Sequence, residues 1–92
     1  MFLRINQKIK KSFPLLEKLF SMEELIELVK TPASDLWFYH FGLGTWIRNH
    51  LLNENQLYQM FLSMGIQHKD DMFFYIILRF HAHMVASYKY LS

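Results

Sequence analysis

Apolar positions along this chain recur mostly at helical spacing, and nowhere over a usable length at the two-residue spacing of a strand. Phe2, Ile5, Ile9 and Phe13 form a first stripe, with Arg4, Lys8 and Lys11 away from it. This predicts an amphipathic helix that Pro14 stops or restarts. Ser21 and Glu24 have the spacing of a capping box, and Phe20 is placed to staple onto Leu25. A second helix should then run to about Lys30, burying Leu25, Ile26, Leu28 and Val29. Thr31-Pro32 predicts the next start, with Thr31 as cap and Pro32 at the first helical position, or with Ser34 capping instead.

The stretch from Leu36 to Leu51 is apolar on nearly every side, through Leu36, Trp37, Tyr39, His40, Leu43, Trp46, Ile47 and Leu51. That predicts a largely buried helix, in which Gly42 and Gly44 either let another element approach closely or mark a break between two short helices, with close packing and a kink the favoured form. Asn53 to Gln56 supply the cap of a further helix with Leu57, Phe61 and Met64 inside and Tyr58 and Met60 flanking. Gly65 suits the left-handed residue beyond its end, with Ile66 folding back on Phe61. Asp70 is the expected cap of a last helix, Asp71–Tyr90, whose core face is Phe73, Ile76, Ile77, Phe80, Met84 and Leu91. The expected fold is all-α: a compact single-domain bundle of four to five helices, residues 1–92. Within it, 1–18 form a basic amphipathic N-terminal segment and 21–90 the core.

Composition makes such a core affordable. Fifty-two per cent of the 92 residues are hydrophobic and 17% aromatic, so large buried areas are available without cross-links. The absence of cysteine removes disulfides, thiol catalysis and thiolate metal sites together. The net charge of +2 conceals an asymmetry: residues 1–18 carry five bases against one acid, and residues 19–92 five against seven. Arg4, Lys8, Lys10 and Lys11 are therefore a candidate surface for nucleic acid or an anionic membrane, although a docked first helix accounts for them more simply. The longest apolar run, Met72–Leu78, is too short to span a bilayer, and lysines break up any N-terminal leader. A soluble, cytoplasmic protein is the expectation.

The block FGLGTWIRN (Phe41–Asn49), followed by Gly65-Ile66-x-His68-x-Asp70-Asp71-Met72 and a helix with an Ile-Leu pair, resembles a family of small bacterial helical domains. These domains are found in Bacteroidetes-type genomes and their mobile elements. The resemblance spans about Leu36 to Met84. It implies a helical fold and a bacterial or phage origin, and it carries no activity, cofactor or catalytic residue.

Candidate chemistry is sparse. His81 and His83 project about 200° apart on one helix and cannot share an ion. His68, Asp70 and Asp71 are together in sequence, but capping and the helix dipole explain both aspartates. The Arg-to-His spacing of HEPN-type nucleases is missed twice: His50 follows Arg48 too closely, and Arg79 reaches His83 too soon. Gly42-x-Gly44 lacks the strand, third glycine and lysine of a phosphate loop. Arg48 in its aromatic setting, with Asp71 in the second block, could grip an anion or carboxylate, but an internal Arg48–Asp71 pair joining the two blocks is the preferred expectation. No cofactor or metal is implied, and no catalytic constellation.

What remains is binding. Tyr75, Arg79, His83, Ser87 and Tyr90 form a stripe on the last helix of residue types favoured at interfaces. The leading expectation is a non-enzymatic protein-binding module, of the kind a mobile element encodes to inhibit a larger nuclease. The alternative is a nucleic-acid-binding accessory protein using the basic N-terminal segment and the Arg79 stripe; a hydrolase using His68, Asp70 and Asp71 is remote. Self-association is compatible with either binding role.

Overall fold

The computed structural model describes the backbone of residues 2–88 and the side chains of residues 4–88. Tyr90 and Leu91, assigned from sequence to a binding stripe and to the core, lie outside the described residues, as does the side chain of Phe2. The described chain is all-α: α1 (Phe2–Glu17), α2 (Met22–Lys30), a 3₁₀ segment (Ala33–His40), α3 (Leu43–His50), α4 (Gln56–Ser63) and α5 (Lys69–Tyr88).

The long helix α5 is the axis of assembly. Met72, Phe73, Ile76, Ile77, Phe80 and Met84 are buried along it, and α1, α2, the 3₁₀ segment and α3 all pack against it. Helix α4 packs mainly on α1, and its Phe61 also meets Tyr75 of α5, ring centres 5.5 Å apart. One hydrophobic cluster receives Ile5, Ile9, Phe13 and Leu16 from α1, Leu25 and Leu28 from α2, and Leu36, Ile47, Leu57 and Phe61 from the middle elements. Each such side chain contributes about 1.5–3 kcal/mol by leaving water. The basic N-terminal segment is therefore part of the core rather than an appendage to it.

Pro14 does not stop α1, which continues to Glu17. A proline one turn from a helix end forfeits one backbone bond, while Phe13 and Leu16 on either side of it are buried. Ser21 forms the capping box with Glu24: its hydroxyl oxygen accepts from the Glu24 N–H, and its own N–H donates to the Glu24 carboxylate. Ile26, expected inside, is exposed, because α2 touches α5 along one side only. Thr31 does not cap the next element. It closes α2, with its N–H donating to the Leu28 carbonyl and its hydroxyl to that of Glu27. Pro32 holds the capping position of the 3₁₀ segment, with no side-chain bond.

Asn55 caps α4 by accepting from the Tyr58 N–H. That helix ends in a Schellman close: Ile66 N–H reaches the Phe61 carbonyl at 3.0 Å and Gly65 N–H that of Leu62 at 3.0 Å. Gly65 has φ +85°, a conformation that L side chains rarely adopt. Asp70 is not the cap of the last helix, which begins at Lys69. The His68 carbonyl there accepts the Asp71 and Met72 N–H groups, and the Asp70 carboxylate is directed elsewhere.

Candidate functional site

The aromatic stretch departs most from its sequence pattern. It is not one buried helix with a kink. A 3₁₀ segment ends at His40, Phe41 and Gly42 make a turn, and α3 begins at Leu43. Three residues per turn and a short length allow few side chains onto one face, and Leu36 is the sole buried residue of the segment. Its neighbours face outward: Trp37 is 50% exposed, Phe38 75% and Phe41 82%. Trp37 stacks on His40, ring centres 5.0 Å apart, and Phe41 meets the same ring at a steep angle at 5.5 Å, yet Phe38 and Phe41 leave most of their surface to solvent.

Tyr39, half-buried, divides two shallow grooves on this face. One runs between the end of α2 and the 3₁₀ segment, past Glu27, Lys30, Pro32, Asp35 and Phe38. The other lies between the start of α2 and α3, past Leu19, Phe20, Glu24, Leu43 and Trp46. Phe20 stacks on buried Phe80 with centres 5.9 Å apart and meets Tyr39 at 6.2 Å, so the dividing ring is backed by the core. The Glu24 carboxyl is held below the ordinary glutamate range, first by the Ser21 N–H and then by the Ser21 hydroxyl, both of which favour the charged form.

Behind the aromatic face is an ionic junction between the two blocks. Arg48 Nη2 is 3.2 Å from Asp70 Oδ1 and 3.4 Å from His40 Nε2, and His40 Nδ1 is 3.7 Å from the same Asp70 oxygen. The partner of Arg48 is thus Asp70 and not Asp71, because the start of α5 at Lys69 turns Asp70 toward α3. His40 Nδ1 and Arg48 Nε are buried without a hydrogen-bond partner. The His40 ring meets Phe73 in a T-shaped arrangement, 5.9 Å between centres, close to Gly44. A side chain added at Gly44 would rest 3.6 Å from both rings, and one at Gly42 would meet nothing. Gly44 thus lies close to α5, as expected, without being sterically confined to glycine. The junction clamps the 3₁₀ segment and α3 to α5.

The stripe on α5 is divided by α1. Tyr75 donates its hydroxyl to Asn6 Oδ1 at 3.2 Å, and His83 packs at a tilt against Phe13, ring centres 4.7 Å apart, with Glu17 3.9 Å away. Arg79 is exposed with its guanidinium 5.5 Å from the Tyr75 ring centre, and exposed Ser87 donates to the His83 carbonyl. His81 bonds the Thr31 carbonyl through Nε2 at 2.9 Å; a carbonyl only accepts, so that nitrogen carries the proton. Among the described residues no three His, Asp or Glu side chains are grouped to hold a metal ion, and no helix is long and apolar enough to cross a membrane. On α1, Arg4, Lys8 and Lys11 follow one another at steps of four and three along one flank of the helix, with Lys8 part-buried, exposed Leu15 continuing the row and exposed Lys10 to one side. Lys8 is tied to Gln56 of α4.

Sequence reasoning missed Trp37, Phe38 and Phe41 as surface residues. The available signal was the run of aromatics at consecutive positions, which no single helical face can bury.

No curated protein and no solved structure matches the chain. A family model described as "Domain of unknown function (DUF6794)" matches residues 5–84, a span that takes in the aromatic face, the Arg48–Asp70 junction and most of α5, and the chain belongs to that family.

Proposed function

We propose that this member of a family with no assigned function is a non-enzymatic protein-binding module whose contact surface is the aromatic face around Phe38 and Phe41. The observation that carries the reading is their exposure: two phenylalanines more than 70% accessible beside a half-exposed tryptophan on so small a domain. Leaving such rings in water forgoes burial that neighbouring core positions provide, and clustered exposed aromatics mark interaction sites. The segment is also prearranged, since buried Leu36 and the Arg48–Asp70 junction fix it before any partner arrives. Preorganisation of this kind lowers the entropic cost of association.

In its finer form the reading is of a cytoplasmic protein from a bacterial mobile element or phage that inhibits a larger nuclease. Small size and the family resemblance support it. So does charge: α2 and the 3₁₀ segment bring Glu24, Glu27 and Asp35 to the grooves of the aromatic face, which suits the basic substrate channel of a nuclease. The exposed members of the α5 stripe, Arg79 and Ser87, form a secondary contact. A second reading, nucleic-acid binding, rests on exposed Arg4, Lys10 and Lys11 together with part-buried Lys8.

The test is affinity capture of partners from a bacterial lysate, with and without nuclease digestion, by the wild-type chain and three variants. A partner that survives digestion, is lost by Phe38→Ala/Phe41→Ala and is kept by the Lys8, Lys10 and Lys11 to Gln variant supports the aromatic face. Loss with Arg79→Ala alone moves the contact to α5. Loss on digestion and with the lysine changes replaces protein binding by nucleic-acid binding.

A further inference from the structure

The two grooves beside Tyr39 are in tandem along α2. Glu27 borders one and Glu24 the other. These residues are three apart on one helix, so their side chains share a face with a rise of about 4.5 Å between them. Each groove therefore pairs a carboxylate with aromatic walls: Glu27 and Asp35 with Phe38 and Tyr39, then Glu24 with Phe20, Tyr39 and Trp46. Their volumes, about 540 Å³ and 300 Å³, accommodate a long side chain apiece. Lys30 is the single base lining either groove, and among the described residues none of the three carboxylates is in an ion pair.

A carboxylate next to an aromatic face is the combination that a Lys or Arg side chain satisfies twice. The ammonium or guanidinium meets the carboxylate, and the ring takes the methylenes or the cation itself. Two such grooves one helical turn apart correspond to positions i and i+3 or i+4 of a helix laid across them. Apolar residues on the same helix would cover Phe38 and Phe41.

We infer that the occupant of this face is a basic amphipathic helix of the partner protein. It places two Lys or Arg side chains one turn apart, toward Glu27–Asp35 and Glu24, with its apolar stripe on Phe38, Tyr39 and Phe41. The inference rests on the reading of this chain as a protein-binding module and adds the chemistry of the segment bound.

The probe is a short acetylated Leu/Lys peptide of amphipathic helical pattern, compared with a Leu/Glu peptide of the same pattern. Binding is followed by backbone amide shifts and by fluorescence of Trp37 and Trp46. Addition of the Leu/Lys peptide should move amides within residues 19–46 and the Leu/Glu peptide should not. Glu24→Gln/Glu27→Gln/Asp35→Asn should weaken the Leu/Lys peptide about tenfold; glutamine at position 24 still completes the capping box, so this variant keeps α2. Phe38→Ala/Phe41→Ala should weaken it as well. Equal affinity for the triple variant, or shifts outside residues 19–46, overturns the inference. So does a concentration-dependent dimer of the wild-type chain that Phe41→Ala abolishes, which assigns the face to a second copy. The two readings fail separately. A captured protein that the triple variant retains leaves protein binding standing and removes the basic helix, whereas a peptide that docks as described while no protein is captured leaves the face's selectivity for a basic helix standing and removes the protein partner.

Discussion

Leu36-Trp37-Phe38-Tyr39-His40-Phe41 and Met72-Phe73-Phe74-Tyr75-Ile76-Ile77-Leu78 are nearly interchangeable as strings, yet one is surface and the other core. In the second, Met72, Phe73, Ile76 and Ile77 are buried; in the first, Leu36 alone is. The difference lies in period and length. A 20-residue α-helix repeats its face five times and lets four neighbouring elements cover it. An eight-residue 3₁₀ segment cannot rotate five consecutive large side chains onto one face, so it buries Leu36 fully and Tyr39 and His40 in part, and displays Trp37 and Phe38. Aromatic content signals a core only when it recurs at a period that an element can present to its neighbours.

The sharpest way to break this comparison is to truncate large side chains in the first stretch and along α5. Phe73→Ala and Phe80→Ala should cost about 3–5 kcal/mol in chemical denaturation, and Leu36→Ala about 2–5 kcal/mol as the lost anchor. Phe38→Ala and Phe41→Ala should stay within about 0.5 kcal/mol. A large loss at Phe41 would mean that its ring is part of the core after all.

Next comes the turn that leads into α5. Gly65→Ala should destabilise by about 1 kcal/mol, because alanine at φ +85° is strained. Gly44→Ala should be neutral or stabilising by up to about 1 kcal/mol, since the added methyl finds ordinary contact and gains helix propensity. A loss at Gly44 comparable with that at Gly65 would show that His40 and Phe73 cannot accommodate it.

The clamp between the blocks can be isolated by a double-mutant cycle. Arg48→Ala with Asp70→Ala should show a coupling of about 0.5–1 kcal/mol, modest because both side chains keep solvent access. The same cycle with Asp71 should show none. Coupling to Asp71 instead would restore the pairing expected from sequence.

The smallest effect concerns the flank of the aromatic face. The carboxyl of Glu24 is held low in the folded chain, so the stabilisation it provides is complete above the unfolded glutamate pKa and is lost as pH falls through the folded value. Stability measured from neutral to acid pH should fall less steeply in Glu24→Gln than in the wild type. Parallel curves would remove the capping bond as the cause.

Much of the architecture was legible in the residues. Ser21 with Glu24, Asn55, and Gly65 with Ile66 mark their helix ends because capping is settled by atoms a few residues apart. The stripes Ile5-Ile9-Phe13 and Phe73-Ile76-Ile77-Phe80-Met84 mark their faces because 3.6-residue periodicity is written along a single element. The sequence by itself therefore determined an all-α chain, several of its caps and most of its buried faces. Tertiary structure decided the rest. Pro14 stays helical because Phe13 and Leu16 are buried beside it. Asp70 rather than Asp71 meets Arg48 because the rotation of α5 about its axis is set by packing against four other elements. Tyr75 and His83 face α1 rather than solvent for the same reason. Trp37, Phe38 and Phe41 are exposed because burying a ring requires a neighbour to cover it, and where neighbours end is a property of the assembled fold, not of the string that folds.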